Sequence, residues 1–140
     1  MRAVVDTNVI AYFLLGTDGF REECEHFWRE VEDAFAPASW EAELTNVLWM
    51  AARKKVIDLP EALRRLELAK ALGVRSIAVS TLWSGALVRA HSSGIAVYDA
   101  LFVELADREA VPLATFDEAV IKAFPKQAMR PRRLRLKSPG

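Results

Sequence analysis

The sequence contains a single cysteine, Cys24, and only two histidines, His26 and His91. One cysteine excludes a disulfide within the chain and any cysteine-rich metal site. Two histidines argue against a zinc site built from histidine ligands. If the protein holds a metal ion, oxygen ligands must bind it, which favours Mg²⁺ or Mn²⁺ over softer metals.

Glycine and proline are also scarce, with six of each among 140 residues, while apolar residues make up 52% of the chain. This composition predicts one folded domain with a substantial core. No apolar run reaches the roughly 18 residues that a membrane-spanning helix needs. Because Asp6 and Asn8 interrupt the first apolar segment, that segment does not resemble a secretory signal peptide. We therefore expect a cytoplasmic protein with no membrane partner.

The first ten residues carry the first functional indication. A short apolar run from Ala3 to Val5 ends at Asp6, and Thr7, Asn8 and a second apolar stretch follow. This pattern predicts a buried strand that leads directly into a helix. Ligand crevices in open parallel sheets lie at the carboxyl ends of the strands, so Asp6 stands where ligands bind. The alternative is that Asp6 only starts the helix, a common role for aspartate.

Hydrophobic periodicity predicts alternating helices and strands along the rest of the chain. The later strands are predicted at 34–38, 76–80, 111–115 and, weakly, 127–131, and the later helices at 20–33, 39–55, 58–72, 81–92, 98–109 and 116–124. Short apolar strands between helices are typical of a parallel sheet sandwiched between helix layers. We therefore expect an α/β protein whose single domain spans 1–131.

Charge is distributed unevenly although the net charge is zero. Residues 1–35 have a net charge of −5, whereas residues 130–140 have a net charge of +5 and no acid. We interpret 132–140 as a basic C-terminal tail, which suits a polyanion such as RNA. A solubilising terminus or a docking site for an acidic partner would explain it as well. The candidate RNA-binding residues are Arg130, Arg132, Arg133 and Arg135.

Three further acids are expected near Asp6. In the helix that follows Ser39, Glu43 falls inside the apolar arc, where an ionised carboxylate is costly unless a cation neutralises it. Asp99 heads an apolar stripe in the first turn of its helix, and Asp117 directly follows the fourth predicted strand. Helix capping or the helix dipole alone would also account for Asp99 and Asp117.

Four acids at one edge of a sheet would repel one another and raise one another's pKa values. A bound divalent cation would neutralise this repulsion and so account for such a cluster. Mg²⁺ held by carboxylates typically acts on phosphate substrates. The residues therefore predict metal-dependent hydrolysis of a phosphoester.

Four segments resemble a known family. They are Val-Val-Asp-Thr-Asn-Val-Ile at 4–10, Glu-Leu-Thr-Asn-Val-Leu at 43–48, Tyr-Asp-Ala-Leu-Phe-Val-Glu-Leu-Ala at 98–106 and Leu-Ala-Thr-Phe-Asp at 113–117. In this order and spacing they are similar to the PIN-domain nucleases, and among these to the VapC-type ribonuclease toxins of toxin–antitoxin modules. The resemblance implies a Rossmann-like α/β/α sandwich with a central parallel sheet of about five strands. It also implies an Mg²⁺- or Mn²⁺-dependent endoribonuclease that cleaves RNA, forms a homodimer and is neutralised by a cognate antitoxin protein.

The same resemblance assigns roles to individual residues. The acidic quartet of the family matches Asp6, Glu43, Asp99 and Asp117, and the supporting polar positions match Asn8 and Thr115. It implies that Asp6 and Asp99 hold the metal. Glu43 and Asp117 would complete its coordination or orient the attacking water, and Asp117 occupies the position that varies most in such families.

Two other functions remain open from the sequence. A phosphatase of the haloacid-dehalogenase class also begins with a strand and an aspartate, but it needs a second aspartate where this chain has Asn8. A PIN-like module that binds RNA or protein without cleaving it would share the fold, although the complete quartet argues against it.

Large aromatic residues bear on the state of assembly. Trp49 lies opposite the buried stripe of its helix, and Phe20, Trp28 and Trp83 add more aromatic surface than a small domain readily buries. We therefore expect a homodimer.

Overall fold

The computed structural model describes residues 1–137, including the side chains of residues 1–134. Within this range one sheet of five parallel strands has the order β3-β2-β1-β4-β5. The strands are β1 (Arg2–Val5), β2 (Asp33–Pro37), β3 (Arg75–Ile77), β4 (Leu113–Ala114) and β5 (Ala128–Met129). The predicted α/β class and the parallel sheet are confirmed.

Helices flank the sheet and connect its strands. They are α1 (Thr7–Leu15), α2 (Arg21–Glu30), α3 (Trp40–Arg53), α4 (Leu59–Ala71), α5 (Trp83–Ser93), α6 (Val97–Glu109), α7 (Glu118–Ala123) and α8 (Pro131–Lys137). Over the described residues, none of them combines the length and the apolar character that spanning a membrane requires.

Strand β1 lies at the centre of the sheet because its side chains can be buried on both faces. Ala3, Val4 and Val5 are fully buried, as expected for a β-branched run in a parallel sheet. Val4 pairs with β2 on one side and with β4 on the other. The last ladder bond on the β4 side runs from the amide of Asp6 to the carbonyl of Ala114 at 2.9 Å. Asp6 is thereby fixed at the carboxyl end of the central strand.

Helix starts agree with the predictions at some positions and differ at others. Asp58 caps α4 by accepting a hydrogen bond from the amide of Glu61 at 2.8 Å, as the capping-box spacing predicts. At α3, Ser39 precedes the helix, but its hydroxyl forms no capping bond. At α7, Asp117 caps the helix by accepting hydrogen bonds from two amides, which agrees with the helix-capping alternative for this acid.

Two segments differ from the sequence prediction. The predicted strand at 76–80 ends already at Ile77, and the chain continues into a short 3₁₀ turn at Val79–Thr81. The weak fifth strand is present as β5, but helix α8 begins directly after it. Leu134 in α8 is buried in the core, and α8 packs against α2. The segment interpreted as a basic tail thus begins as a folded helix, while residues 138–140 of that tail lie outside the described residues.

Candidate functional site

Asp6 is a buried carboxylate that does not serve its own helix. It occupies the N-cap position of α1 with extended backbone angles, but its side chain forms no capping hydrogen bond. The carboxylate is 8% exposed and accepts a hydrogen bond of 2.6 Å from the hydroxyl of Thr115. The alternative role of Asp6 as a simple helix cap is therefore not the one that the structure shows.

Thr115 and Asn8 join the strand ends on either side of the site. The Thr115 hydroxyl, which is fully buried, accepts a hydrogen bond from the Asp117 amide at 3.0 Å. The side-chain amide of Asn8 donates to Asp6 and to Thr115, each at 3.4 Å, and its oxygen accepts from the Phe116 amide at 3.3 Å. The two predicted supporting residues thus lie beside Asp6 and tie the loop after β4 to the start of α1.

Glu43 approaches the same region from α3. It is half-buried, and its Oε1 accepts a hydrogen bond from the Thr7 hydroxyl at 3.3 Å. Burial raises the pKa of Glu43, the Thr7 hydrogen bond lowers it, and the negative charge of Asp99 raises it further. Thr7 is a site residue that the sequence interpretation missed, although its position between Asp6 and Asn8 in the first motif was a signal.

The pKa of Asp6 shows how these acids interact. Burial raises the pKa of this carboxyl to about 7, the hydrogen bond from Thr115 opposes the shift, and the charges of Asp99 and Glu43 increase it. Asp99, half-buried in the first turn of α6, has a pKa raised by burial and then by the charge of Asp117. The four predicted acids are therefore electrostatic neighbours linked by repulsion, which a cation between them would relieve.

The carboxylates do not yet form a complete set of ligands. Among the described residues, no three histidine, cysteine, aspartate or glutamate side chains converge closely enough to hold a metal ion as they stand. Asp117 uses its Oδ1 to accept hydrogen bonds from Ala119 and Val120 at 2.9 and 3.2 Å. The donor chemistry, carboxylate oxygen only, still suits a hard cation such as Mg²⁺ rather than zinc.

The predicted RNA-binding arginines are not equivalent in the structure. Arg130 forms a two-pronged ion pair with Glu23 of α2 at 2.6 and 3.3 Å, so its charge is already compensated. Arg132 and Arg133 are exposed on α8, and the backbone amide of Arg132 also bonds to Glu23. The side chain of Arg135 lies outside the described side chains.

An aromatic group beside the acids was also missed. The rings of Tyr12, Phe20 and Phe116 contact one another, and the guanidinium of Arg130 lies 5.1 Å from the centre of the Phe116 ring. The available signals were the four-residue spacing from Asn8 to Tyr12 and the place of Phe116 between Thr115 and Asp117.

Comparisons with known proteins agree with this architecture. The family model described as PIN domain matches residues 3–126. Ribonuclease VapC3 of Pyrobaculum aerophilum is 31% identical over 129 residues, covering 89% of this chain and 96% of that protein.

Solved structures show the same fold at lower identity. FitAcB from Neisseria gonorrhoeae has a TM-score of 0.67 at 21% identity, covering 94% of this chain and 99% of that chain. A toxin–antitoxin complex from Klebsiella pneumoniae has a TM-score of 0.66 at 16% identity, covering 92% of this chain and 97% of that chain.

Proposed function

The chain belongs to the PIN-domain family, and on that basis we propose that it is a metal-dependent endoribonuclease and the toxin of a VapC-type toxin–antitoxin module. The observation that carries this proposal is the buried carboxylate of Asp6, which is held by Thr115 at the end of the central strand with Glu43 and Asp99 as like-charged neighbours. The 31% identity to a ribonuclease supports RNA as the substrate. We also propose a cytoplasmic location, because cellular RNA, the proposed substrate, is present there.

We propose Asp6, Glu43, Asp99 and Asp117 as the residues that would hold Mg²⁺ or Mn²⁺. Their oxygen donors and mutual repulsion fit a divalent cation, although they would have to draw closer to form its ligand set. When bound, the cation supplies an activated water and stabilises charge on the phosphoryl oxygens.

The protein residues act in this proposal by holding the acids in place. The Thr115 hydroxyl donates a hydrogen bond to Asp6 Oδ2, which fixes the orientation of the carboxylate. Asn8 bonds to both the Thr115 hydroxyl and the Phe116 amide, and it thereby connects the loop that carries Asp117 to the start of α1. Thr7 orients Glu43 in the same way.

We also propose a homodimer with an antitoxin protein as the further partner. Helices α3 and α4 pack together, as do α5 and α6, and both pairs expose large apolar side chains. These are Trp49, Val56, Leu59, Leu63 and Leu68 on the α3–α4 side and Trp83, Leu87, Val88, Val97 and Tyr98 on the α5–α6 side. Light scattering at tens of micromolar is expected to give the mass of a dimer, and a monomer would contradict this part of the proposal. The structural similarity to a toxin–antitoxin complex supports the antitoxin partner.

Cleavage of single-stranded RNA tests the proposed activity. We expect cleavage with Mg²⁺ or Mn²⁺, none with EDTA, and none by the Asp6→Asn or Asp99→Asn variants. Glu118→Gln is the matched control, because Glu118 is an exposed acid next to Asp117. This variant should cleave RNA as the wild type does. Full activity of Asp6→Asn would refute the assignment of the site. Hydrolysis of p-nitrophenyl phosphate without RNA cleavage would favour the phosphatase instead.

A further inference from the structure

Three aromatic rings beside the acids form a group that the proposed chemistry does not use. We call Tyr12, Phe20 and Phe116 the aromatic cluster. Tyr12 stacks on Phe20 with ring centres 4.4 Å apart and an angle of 22° between the planes. Phe116 meets the edge of Phe20 at 4.8 Å and lies 5.5 Å from Tyr12.

The aromatic cluster is only half-buried. This distinguishes it from the large aromatic residues of the core, Phe27, Phe35 and Phe102, which are almost completely buried. Each residue of the cluster is therefore partly accessible to solvent, and aromatic side chains of this kind pair with further planar groups by offset or edge contacts.

The aromatic cluster adjoins the acids through the hydrogen bonds of Asn8. Tyr12 follows Asn8 by four residues on α1, so the two side chains lie on the same face of the helix. Phe116 lies between Thr115 and Asp117 in the chain, and its amide donates to Asn8 Oδ1 at 3.3 Å. A ligand whose phosphate lay at the acids would therefore place neighbouring groups at the cluster.

Arg130 extends the cluster as a fixed planar group. Its guanidinium lies 5.1 Å from the centre of Phe116 and 5.9 Å from that of Phe20. Glu23 holds it through two hydrogen bonds, at 2.6 and 3.3 Å. Because its charge is compensated by Glu23, Arg130 is better suited to stacking than to attracting a distant phosphate.

We propose that the aromatic cluster and Arg130 bind a base of single-stranded RNA beside the phosphodiester that is cleaved. This inference rests on the proposed function, because it assumes that RNA is the substrate. Unstacked RNA bases are bound by stacking on aromatic side chains and on guanidinium planes. The acidic site repels the RNA backbone in the absence of metal, so uncharged stacking provides affinity that does not depend on positive charge at the site.

The test compares RNA binding by leucine variants of the cluster. In the Asp6→Asn background, which should prevent cleavage, Tyr12→Leu and Phe116→Leu remove the ring but keep an apolar side chain. Fluorescence anisotropy with a labelled short oligo(rA) should show an affinity loss of about 5-fold to about 150-fold for each ring that stacks on a base. Phe116→Trp keeps a stacking surface and should retain most of the affinity, which a purely structural role of Phe116 would not predict.

Phe13→Leu is the matched control. Phe13 follows Tyr12 on α1 and is also half-buried, but its ring packs against Trp28, with centres 6.1 Å apart, rather than in the cluster. Its replacement should leave the affinity for oligo(rA) unchanged. The second probe is a set of the same oligomers, each lacking the base at a different position. One of them should bind the parent protein more weakly than the intact oligomer. For that oligomer, Tyr12→Leu should cause no further loss of affinity.

The outcomes separate this inference from the proposed function. If the wild type cleaves no RNA with Mg²⁺ or Mn²⁺, the proposed function fails. If the wild type cleaves RNA but the leucine variants bind oligo(rA) as tightly as their parent, the inference alone is overturned. Unchanged RNA affinity with weaker binding of an antitoxin would also overturn it, because the cluster would then be a protein contact. Thermal melting of each variant identifies any that fails to fold. If Phe116→Leu does not fold, the affinities of the two separate variants Phe116→Trp and Tyr12→Leu for oligo(rA) decide whether the cluster binds a base.

Discussion

Replacing Asp6 with asparagine should change the pH dependence of stability in the metal-free protein. Burial raises the pKa of Asp6 from 3.8 to about 7 in the folded state. Between these values the folded protein keeps a proton that the unfolded chain has lost, so the folded state binds more protons and stability falls as pH rises. This contribution is fully present below pH 3.8 and is lost as pH rises through about 7.

The size of the effect follows from the same two values. A shift of one pKa unit corresponds to about 1.4 kcal/mol, so the wild type should lose about 2.5 kcal/mol of unfolding free energy from Asp6 between about pH 5 and about pH 8. Asp6→Asn cannot titrate and should lack this component, while Glu43 and Asp99 titrate in both proteins. The unfolding free energy of Asp6→Asn minus that of the wild type should therefore increase by about 2.5 kcal/mol between about pH 5 and about pH 8.

Urea denaturation in EDTA at several pH values measures this difference. Glu118→Gln, which removes an exposed acid of α7, should run parallel to the wild type. Adding Mg²⁺ should stabilise the wild type, by about 2.7 kcal/mol at a concentration 100 times its dissociation constant, and should stabilise Asp6→Asn far less. A flat difference between Asp6→Asn and the wild type would refute the argument that burial controls this carboxyl. Equal stabilisation of the wild type and of Asp6→Asn by Mg²⁺ would refute the role of the Asp6 carboxylate as a metal ligand.

Three other substitutions test separate parts of the structure. Thr115→Val removes the hydroxyl that lowers the pKa of Asp6, so the acidic limb of the pH–activity profile should move to higher pH; an unmoved profile would contradict this. Leu134→Ala should cost about 2 to 5 kcal/mol in urea denaturation, because the Leu134 side chain of α8 is buried in the core; a loss below about 1 kcal/mol would mean that α8 is not part of the core. Gly85→Ala should lower the melting temperature, because an added Cβ would lie 2.2 Å from the carboxyl carbon of Glu104; an unchanged melting temperature would show that Glu104 can move away freely.

The centre of the sheet was predictable because its signal is local. An apolar run buried on both faces ends at Asp6, and the geometry of parallel sheets then fixes which edge Asp6 occupies. Thr115 and Asn8 were predicted from the resemblance to the family rather than from sheet geometry, and in the structure both bond to Asp6. The bond from Thr7 to Glu43 joins residues 36 positions apart, and no periodicity along the chain encodes such a pairing.

Helix α8 was missed because charge dominated the interpretation of the C-terminal residues. The five basic residues from 130 onward favoured a tail, yet Pro131 is a residue type preferred at the first position of a helix. Leu134, one turn later, supplies the apolar contact that anchors the helix to the core. In a short helix one buried leucine outweighs several exposed arginines, because exposed charges cost little in water while the buried side chain contributes about 2 kcal/mol.

Helix α6 shows why the surroundings of an acid, rather than its presence in a motif, indicate its role. Both Asp99 and Glu104 belong to the segment 98–106, and both are shielded from solvent to some degree. Glu104 is neutralised within the protein, because Arg89 and Arg108 bond to its two oxygens at 3.0 and 2.6 Å. Asp99 has a like-charged neighbour, Asp117, and a raised pKa. A carboxylate whose charge the fold already balances serves the packing of α5 against α6, whereas one left among other acids has to be neutralised by a proton or by a cation.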